Sequence, residues 1–266
     1  MNNQQSLGGG AHGFLPLKGK NSFTLAEVLI TLGIIGVVAA MTLPALIQKQ
    51  NEKATVVQLK KAYSMLSQAV LAEIAENGTV DNWNLGNTDI GLKDDNGNSI
   101  LDNTGREKFA QILKKHLKVI STPQEGDFQF YTLDGTYLEA LSKDNAIKNM
   151  VMTPDGTIYN VGYTNIAPEC RKGLYHCIDM VIMLKPEKGK YIQGKNMFYF
   201  GVYKDRVVPA GTQDSPAYTF ENHCVASSKP REKGRGCSAW VVLNENMDYL
   251  HCPDKLGWDK AKSCKD

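Results

Sequence analysis

Hydrophobic positions in the first third of the chain form two successive patterns. Residues 28–47 are mostly apolar and carry no charge, and a run of about 20 such residues is long enough to cross a bilayer as a helix. After Pro44, apolar residues recur at steps of three and four, which predicts one buried face of a helix. This face comprises Val56, Leu59, Tyr63, Leu66, Val70 and Ile74. Because Asn77-Gly78 is a helix stop signal, we predict one helix over residues 23–77.

The pattern changes after Gly78 to short strand-like runs between turn signals, which is typical of an antiparallel sheet. A short helix is predicted over residues 106–117, with His116 as a surface residue that has no visible partner. The expected strands are residues 128–133, 151–152, 157–161, 178–184, 197–203 and 239–243. The predicted fold class is α+β, with a long N-terminal helix whose membrane-spanning first half is followed by a second half packed on a C-terminal antiparallel β-sheet.

Charge around the apolar run indicates its orientation. Lys18 and Lys20 precede the run, and no acidic residue lies before them. The positive-inside bias therefore predicts a cytoplasmic N-terminus and an extracytoplasmic remainder. The whole chain has 30 basic and 28 acidic residues, so its net charge indicates no particular partner. A cleaved signal peptide is the alternative, but Ala39-Ala40-Met41 is a poor cleavage site and the helical pattern continues through it.

Cysteine usage agrees with an extracytoplasmic location. All six cysteines lie after residue 169, and an even, clustered set favours disulfides in an oxidising compartment. A zinc site is the alternative, since His176, His223 and His251 each precede a cysteine, but structural zinc ligands usually come in closer pairs. We predict no metal site and no cofactor. Pairing of sequence neighbours closes the smallest loops: Cys170–Cys177, Cys224–Cys237 and Cys252–Cys264.

Glu27 lies at the head of the apolar run. No basic residue follows it within one helical turn, and a carboxylate in such a segment is costly unless it is paired or close to the interface. Glu27 therefore either reaches the lipid headgroups or awaits a cation from another molecule.

Residues 23–27 (FTLAE), followed by the apolar run and Pro44, resemble the N-terminal signature of type IV prepilins and type II secretion pseudopilins. The resemblance implies cleavage by a membrane peptidase between Ser22 and Phe23, and methylation of the new amine of Phe23. Ser22 stands where the family usually has glycine. The resemblance also implies that Glu27 pairs with a neighbouring subunit's amine to set the register, and that Pro44 allows the helix to bend.

The resemblance implies three regions: a cytoplasmic leader at 1–22, a long helix at 23–77 that spans the membrane at about 28–47, and an extracytoplasmic α+β head at 78–266 with a Cys-rich end. It implies a structural subunit rather than an enzyme, with the prepilin peptidase and other pilin or pseudopilin subunits as partners. The expected location is the bacterial inner membrane, and then a filament in the periplasm or at the cell surface.

A basic stretch between Cys224 and Cys237 is a second candidate site. It contains Lys229, Arg231, Lys233 and Arg235 against the single acid Glu232. It is either a solvated charged loop or an anion-binding tip that contacts DNA phosphates. The second interpretation belongs to the alternative function, a single-span membrane-anchored adhesion or DNA-binding protein.

Two further chemistries find little support in the sequence. The acidic and amide residues at 94–98 resemble a calcium loop, but Leu92 and Asn103 occupy the end positions where an EF-hand needs carboxylates, so a plain turn is predicted. No nucleophile and base stand in a recognisable catalytic motif. The sequence therefore does not predict an enzyme.

Overall fold

The computed structural model describes residues 24–94, 97, 99–121, 128–138, 149–213, 217–225 and 229–265. Ser22, Phe23 and the predicted leader lie outside these residues. The chain divides into two compact units, Met1–Gln48 and Lys49–Asp266. Helix α1, Leu25–Asn77, begins in the first unit and ends in the second, which confirms the predicted long N-terminal helix.

The first unit is described from Thr24 onward and consists of the apolar part of α1. Every described residue up to Gln48 is exposed. Among the described residues, α1 is the helix that is long and apolar enough to cross a membrane. The helix continues through Pro44, and bending at this residue stays a prediction.

In the second unit, α1 buries the face that the apolar periodicity predicts. Leu59 and Leu66 are fully buried. The ring of Tyr63 stacks on Phe200 with centroids 5.4 Å apart, and the hydroxyl of Tyr159 donates a hydrogen bond to the carbonyl of Ala62 over 3.2 Å. The stripe continues to Glu73, a buried acid at the end of an otherwise apolar face.

A five-stranded antiparallel sheet forms the centre of the second unit. In chain order, the strands of this unit are β1 (Asp89–Lys93), β2 (Ser99–Leu101), β3 (Gln129–Tyr131), β4 (Met150–Met152), β5 (Ile158–Thr164), β6 (Ile178–Met183), β7 (Lys190–Ile192), β8 (Met197–Val202) and β9 (Val207–Pro209). The order in the main sheet is β4-β5-β6-β8-β9. Each neighbouring pair is antiparallel, which confirms the predicted α+β arrangement.

Both faces of the main sheet are covered, as its side-chain alternation requires. Met180 and Phe198 point to the side covered by α1 and by α2 (Thr104–His116), where Phe109 is buried. Val181 and Tyr199, which follow them in the chain, join a second cluster with β3 and β7. The strands are therefore nearly continuous runs of buried residues.

One expected strand is wrong. Residues 239–243 lie in helix α4, Ser238–Asn244, which follows the short helix α3, Pro168–Arg171. A short apolar run has no periodicity that separates a strand from a buried helix. Its surroundings decide here: a 3-10 turn over Arg235–Cys237 leads directly into the helix, and the ring of Trp240 stacks on Phe220 with centroids 4.1 Å apart.

A second difference concerns strand direction. The segment expected at residues 128–133 is β3, and it pairs in parallel with β7 rather than joining the antiparallel sheet. The β3–β7 pair is a separate two-stranded unit stacked on the main sheet by Phe128, Phe130 and Tyr191. β1 pairs with β2 in an antiparallel hairpin, and between them Gly97 N–H donates to the carbonyl of Asp94. The rest of the turn predicted at 94–98 lies outside the described residues.

Candidate functional site

The N-terminus of α1 is closed by a reciprocal pair of hydrogen bonds. The backbone N–H of Thr24 donates to Glu27 Oε2 over 2.8 Å, and the N–H of Glu27 donates to Thr24 Oγ1 over 3.2 Å. The hydroxyl of Thr24 also donates to Glu27 Oε2. This is a capping box with Thr24 at the N-cap and Glu27 at the third helical position. The sequence signature of a capping box, Thr-x-x-Glu before an apolar run, is present in residues 24–27. This role of Thr24 and Glu27 was not predicted from the sequence.

The apolar segment satisfies its own polar groups. The hydroxyl of Thr31 donates to the carbonyls of Glu27 and Val28, and the hydroxyl of Thr42 donates to the carbonyl of Val38 over 3.0 Å. Such internal pairing is what a hydrocarbon environment requires. The surface at Gly33 and Gly36 is open, with no other group within 4 Å of the position that a Cβ atom would take. These two glycines have no side chain, which leaves room for a second helix to approach closely.

All six cysteines are paired in disulfides. The pairs are Cys170–Cys177, Cys224–Cys237 and Cys252–Cys264, which are the pairs of sequence neighbours. The histidines that precede three of these cysteines each contact a carboxylate. The distances are 2.7 Å from His176 to Asp179, 3.4 Å from His223 to Glu232 and 2.9 Å from His251 to Glu52.

The basic stretch at 229–235 is not one displayed patch. Lys229 Nζ lies 3.3 Å from Glu232 Oε1, and Lys233 Nζ lies 3.8 Å from Asp134 Oδ2. The exposed Arg231 occupies a 3-10 turn over Pro230–Glu232. Acidic neighbours thus offset part of the positive charge that the sequence shows at this loop.

Arg235 packs against aromatic rings. Its guanidinium lies over the rings of Tyr199 and Tyr218, at 5.3 and 5.7 Å from their centroids, and donates to the hydroxyl of Tyr218 over 3.1 Å. Burial raises the pKa of Tyr199 to about 12, although the neighbouring Arg235 acts in the opposite direction. The described geometry makes Arg235 a packing residue.

Two family models match different parts of the chain. Residues 17–43 match the prokaryotic N-terminal methylation motif, the signature of type IV pilins and pseudopilins. Residues 45–225 match a family described as Family of unknown function (DUF6613), and this match covers more than half of the chain. The chain belongs to the DUF6613 family. No curated protein and no solved structure matches it.

The two matches cover successive parts of this DUF6613 protein. The methylation motif includes the Thr24–Glu27 capping box and most of the apolar run. It implies processing by a prepilin peptidase and assembly with pilin subunits. The family match includes the second half of α1 and the main sheet, together with the Cys170–Cys177 disulfide. The Cys252–Cys264 disulfide lies beyond it.

The DUF6613 region also contains an ionic cluster that sequence reasoning missed. Glu73 is buried and accepts hydrogen bonds from Lys115 Nζ over 2.9 Å and from Asn77 Nδ2 over 2.6 Å. His116 Nε2 lies 2.6 Å from the same carboxylate. The prediction that His116 is a surface residue without a partner is wrong. Its partner lies on another helix, so no local sequence pattern joins the two.

Three ligand atoms of this cluster, from Glu73, Glu76 and His116, lie close enough together to hold a metal ion. The ammonium group of Lys115 contacts both of these carboxylates. Hydrogen bonds to Glu76 and Glu73 raise the pKa of Lys115. The arrangement is an ion-pair network between α1 and α2, in which Lys115 supplies positive charge.

Proposed function

We propose that this protein is a structural subunit of a type IV pilus-like or type II secretion pseudopilus filament. In this proposal the precursor sits in the bacterial inner membrane with its N-terminus in the cytoplasm, and a prepilin peptidase cleaves between Ser22 and Phe23. The observation that carries the proposal is the methylation motif at 17–43, which includes the capped start of α1 and most of the exposed run at 28–47 that carries no charge.

Exposure of the apolar segment supports the proposal. The side chains of Leu29, Ile34 and Leu46 are 61%, 60% and 55% exposed in the single chain. So large an apolar surface is stable only against lipid or against other helices. Lipid covers it in the precursor, and neighbouring copies of the same segment cover it in a filament. The open surface at Gly33 and Gly36 allows those copies to approach closely.

Cleavage supplies the cation that Glu27 lacks. A new amine at Phe23 carries a positive charge, and the carboxylate of Glu27 on a neighbouring subunit is its natural partner in an apolar bundle. A charge pair of this kind is stable only in the correct register, because a shifted subunit leaves an unpaired charge buried. Phe23 and Glu27 therefore set the register, and Pro44 allows the helix to adjust its path.

Processing is tested on the full chain recovered from its native membrane or cell surface. Intact and N-terminal mass spectrometry is expected to find a mature chain that starts at N-methylated Phe23. A chain that still carries residues 1–22 contradicts the proposal. That result favours the alternative, a single-span anchor for an adhesion or DNA-binding domain.

Assembly is tested by Glu27→Ala. A filament subunit with this change is expected to stay in the membrane and to be absent from sheared filaments, whereas a monomeric anchor tolerates it. Glu76→Ala is the matched control, because Glu76 is also on α1 but lies beyond the apolar run and contacts Lys115. Equal filament yield from both variants contradicts the proposed role of Glu27.

A further inference from the structure

A surface groove of about 480 Å³ lies in the second unit. Its walls come from β1, from the end of β5, from the loop after the short helix α3 (Pro168–Arg171) and from the start of β6. The residues that line it all follow α1 in the chain. Its size falls within the range of roughly 300–1,000 Å³ that is usual for small-molecule sites.

The walls are held by buried hydrogen bonds. Thr88 N–H donates to the carbonyl of Thr164 over 2.8 Å, and Thr164 N–H donates to Thr88 Oγ1 over 3.0 Å. Both threonines are buried. Beside them, the N–H of Ile166 donates to Asn87 Oδ1 over 2.8 Å. These bonds fix the position of β1 relative to the end of β5, so the groove exists before any ligand arrives.

A disulfide fixes the third wall. Cys170 and Cys177 are paired and almost completely buried, and the loop between them carries Tyr175 and His176 into the groove. The loop also closes on itself, because the N–H groups of residues 174 and 175 donate to the carbonyl of Glu169. The aromatic side of the groove is therefore as well anchored as the strand side.

Two carboxylates in the groove are oriented by their neighbours. Asp179 Oδ1 lies 2.7 Å from His176 Nε2, and Asp89 Oδ1 accepts a hydrogen bond from Gly91 N–H over 2.9 Å. Neither lysine nor arginine is present among the described residues that line the groove. Two acids with neither a lysine nor an arginine beside them disfavour a phosphate or carboxylate ligand.

The remaining lining combines amides and tyrosines. Asn165 lines the groove next to Tyr163, whose side chain is 51% exposed. Amides both donate and accept hydrogen bonds, and carboxylates accept them. A tyrosine provides an apolar ring face with a hydroxyl at its end. A ligand with many hydroxyl groups and an apolar C–H face satisfies this whole set.

We propose that the groove binds a neutral saccharide. The hydroxyls of one sugar ring donate to Asp89 and Asp179 and exchange hydrogen bonds with Asn165, while its C–H face lies on the ring of Tyr163. This binding activity goes beyond a role in filament assembly, and its test does not depend on that role.

The test uses the full chain in phosphatidylglycerol nanodiscs, which contain neither sugar nor choline groups. Saturation-transfer difference NMR measures contact with lactose, maltose, cellobiose and chitobiose. We expect saturation transfer to at least one of these disaccharides. Tyr163→Ala and Asp89→Asn are each expected to weaken its binding about tenfold or more.

Tyr137→Ala is the matched control. Tyr137 is also about half exposed, at 47%, but it does not line the groove, so its removal is expected to leave saccharide binding unchanged. Equal melting temperatures of Tyr163→Ala and Tyr137→Ala separate a lost contact from a lost fold. Asp89→Asn retains the Oδ1 acceptor for Gly91 N–H, so this variant preserves the local structure of the groove wall at β1.

Three results overturn the proposal. The first is absence of saturation transfer to all four disaccharides. The second is transfer that neither Tyr163→Ala nor Asp89→Asn reduces, because the sugar then binds elsewhere. The third is transfer to Nα-acetyl-lysine methylamide that depends on Asp89 and exceeds transfer to every saccharide, because the groove then recognises a cation.

Discussion

Glu27 and Thr24 cap each other at the start of α1. The carboxylate of Glu27 accepts bonds from both the N–H and the hydroxyl of Thr24, at 2.8 and 2.9 Å. The two residues are next to the proposed cleavage bond, so the group that sets the filament register in our proposal also closes the helix in the single chain. The charge of Glu27 and its hydrogen bonds to Thr24 therefore serve two different roles, and substitutions can separate them.

Glu27→Gln separates these roles. Glutamine at the third helical position preserves a capping box, but it has no charge to pair with the amine of Phe23. We expect normal membrane insertion and normal helix content by circular dichroism. The amount of subunit in sheared filaments, measured by immunoblot, is expected to fall as far as in Glu27→Ala.

Thr24→Ala is the complementary control. It removes the hydroxyl and costs about 1 kcal/mol of local helix stability, but it leaves the carboxylate available to a neighbour. Filament yield is expected to exceed that of Glu27→Gln. If Glu27→Gln assembles as well as the unmodified chain, then Glu27 acts through the cap alone and the charge-pair mechanism is wrong.

Local periodicity was sufficient to predict the long helix and most of the sheet. The stripe through Leu59 and Leu66 could be read directly, because a helix repeats its buried face every three to four residues. The central strands β6 and β8 were also predictable, because each is a short run of mostly apolar residues between turn signals, and such a run favours a strand. These features depend on residues close together in the chain.

Features that depend on distant contacts could not be predicted. The partner of His116 is Glu73, on another helix, and Trp240 is helical because of the disulfide turn and aromatic cluster around it. The inward direction of Arg235 likewise depends on Tyr199 and Tyr218. In each case tertiary packing decides between local structures that the sequence leaves nearly equal.

The buried stripe of α1 predicts unequal effects of two leucines on one helix. Leu66 is fully buried and Leu71 is 53% exposed. Leu66→Ala is expected to lower the free energy of unfolding by about 3 kcal/mol, because it removes buried apolar contacts and leaves a cavity. Leu71→Ala is expected to change it by less than about 0.5 kcal/mol. Chemical denaturation of the full chain in nanodiscs measures both, and equal effects would show that α1 does not pack on the sheet through Leu66.

Two disulfides provide another matched comparison. Cys224–Cys237 and Cys252–Cys264 have similar sequence separations of 13 and 12 residues, so loop-closure entropy contributes nearly the same to each. Cys224 and Cys237 are fully buried, whereas Cys252 and Cys264 are only partly buried. The difference in burial is therefore expected to decide which disulfide contributes more to the free energy of unfolding.

We expect double alanine substitution of Cys224 and Cys237 to lower the melting temperature more than double substitution of Cys252 and Cys264. Loss of either disulfide costs about 2–5 kcal/mol, and the buried pair loses packing in addition. Scanning calorimetry under non-reducing conditions measures the difference. The reverse order would mean that the C-terminal loop contributes more to stability than the site around the π-helix over Glu221–Val225.

An ion pair between α1 and the β4–β5 turn predicts a pH dependence. Burial acts to raise the pKa of Asp155, but hydrogen bonds from Lys61, Thr153 and Thr157 outweigh it and hold this pKa well below its usual value of 3.8. The Lys61 Nζ–Asp155 Oδ2 distance is 2.7 Å. The folded state thus favours the ionised carboxylate. Its stabilisation is complete above the unfolded pKa and is lost as the pH falls through the folded pKa.

Asp155→Asn is expected to lower the free energy of unfolding by about 1 kcal/mol at neutral pH, a small value because both side chains of the pair are partly exposed. The difference from the unmodified chain is expected to shrink as the pH falls below about 4, because the unfolded chain takes up a proton at Asp155 there while the folded carboxylate is still ionised. Asp205→Asn is the control, since Asp205 is 59% exposed and pairs with the adjacent Arg206. Melting temperatures across this pH range provide the measurement. A difference for Asp155→Asn that stays constant down to the lowest pH would mean that its loss is one of packing and not of charge.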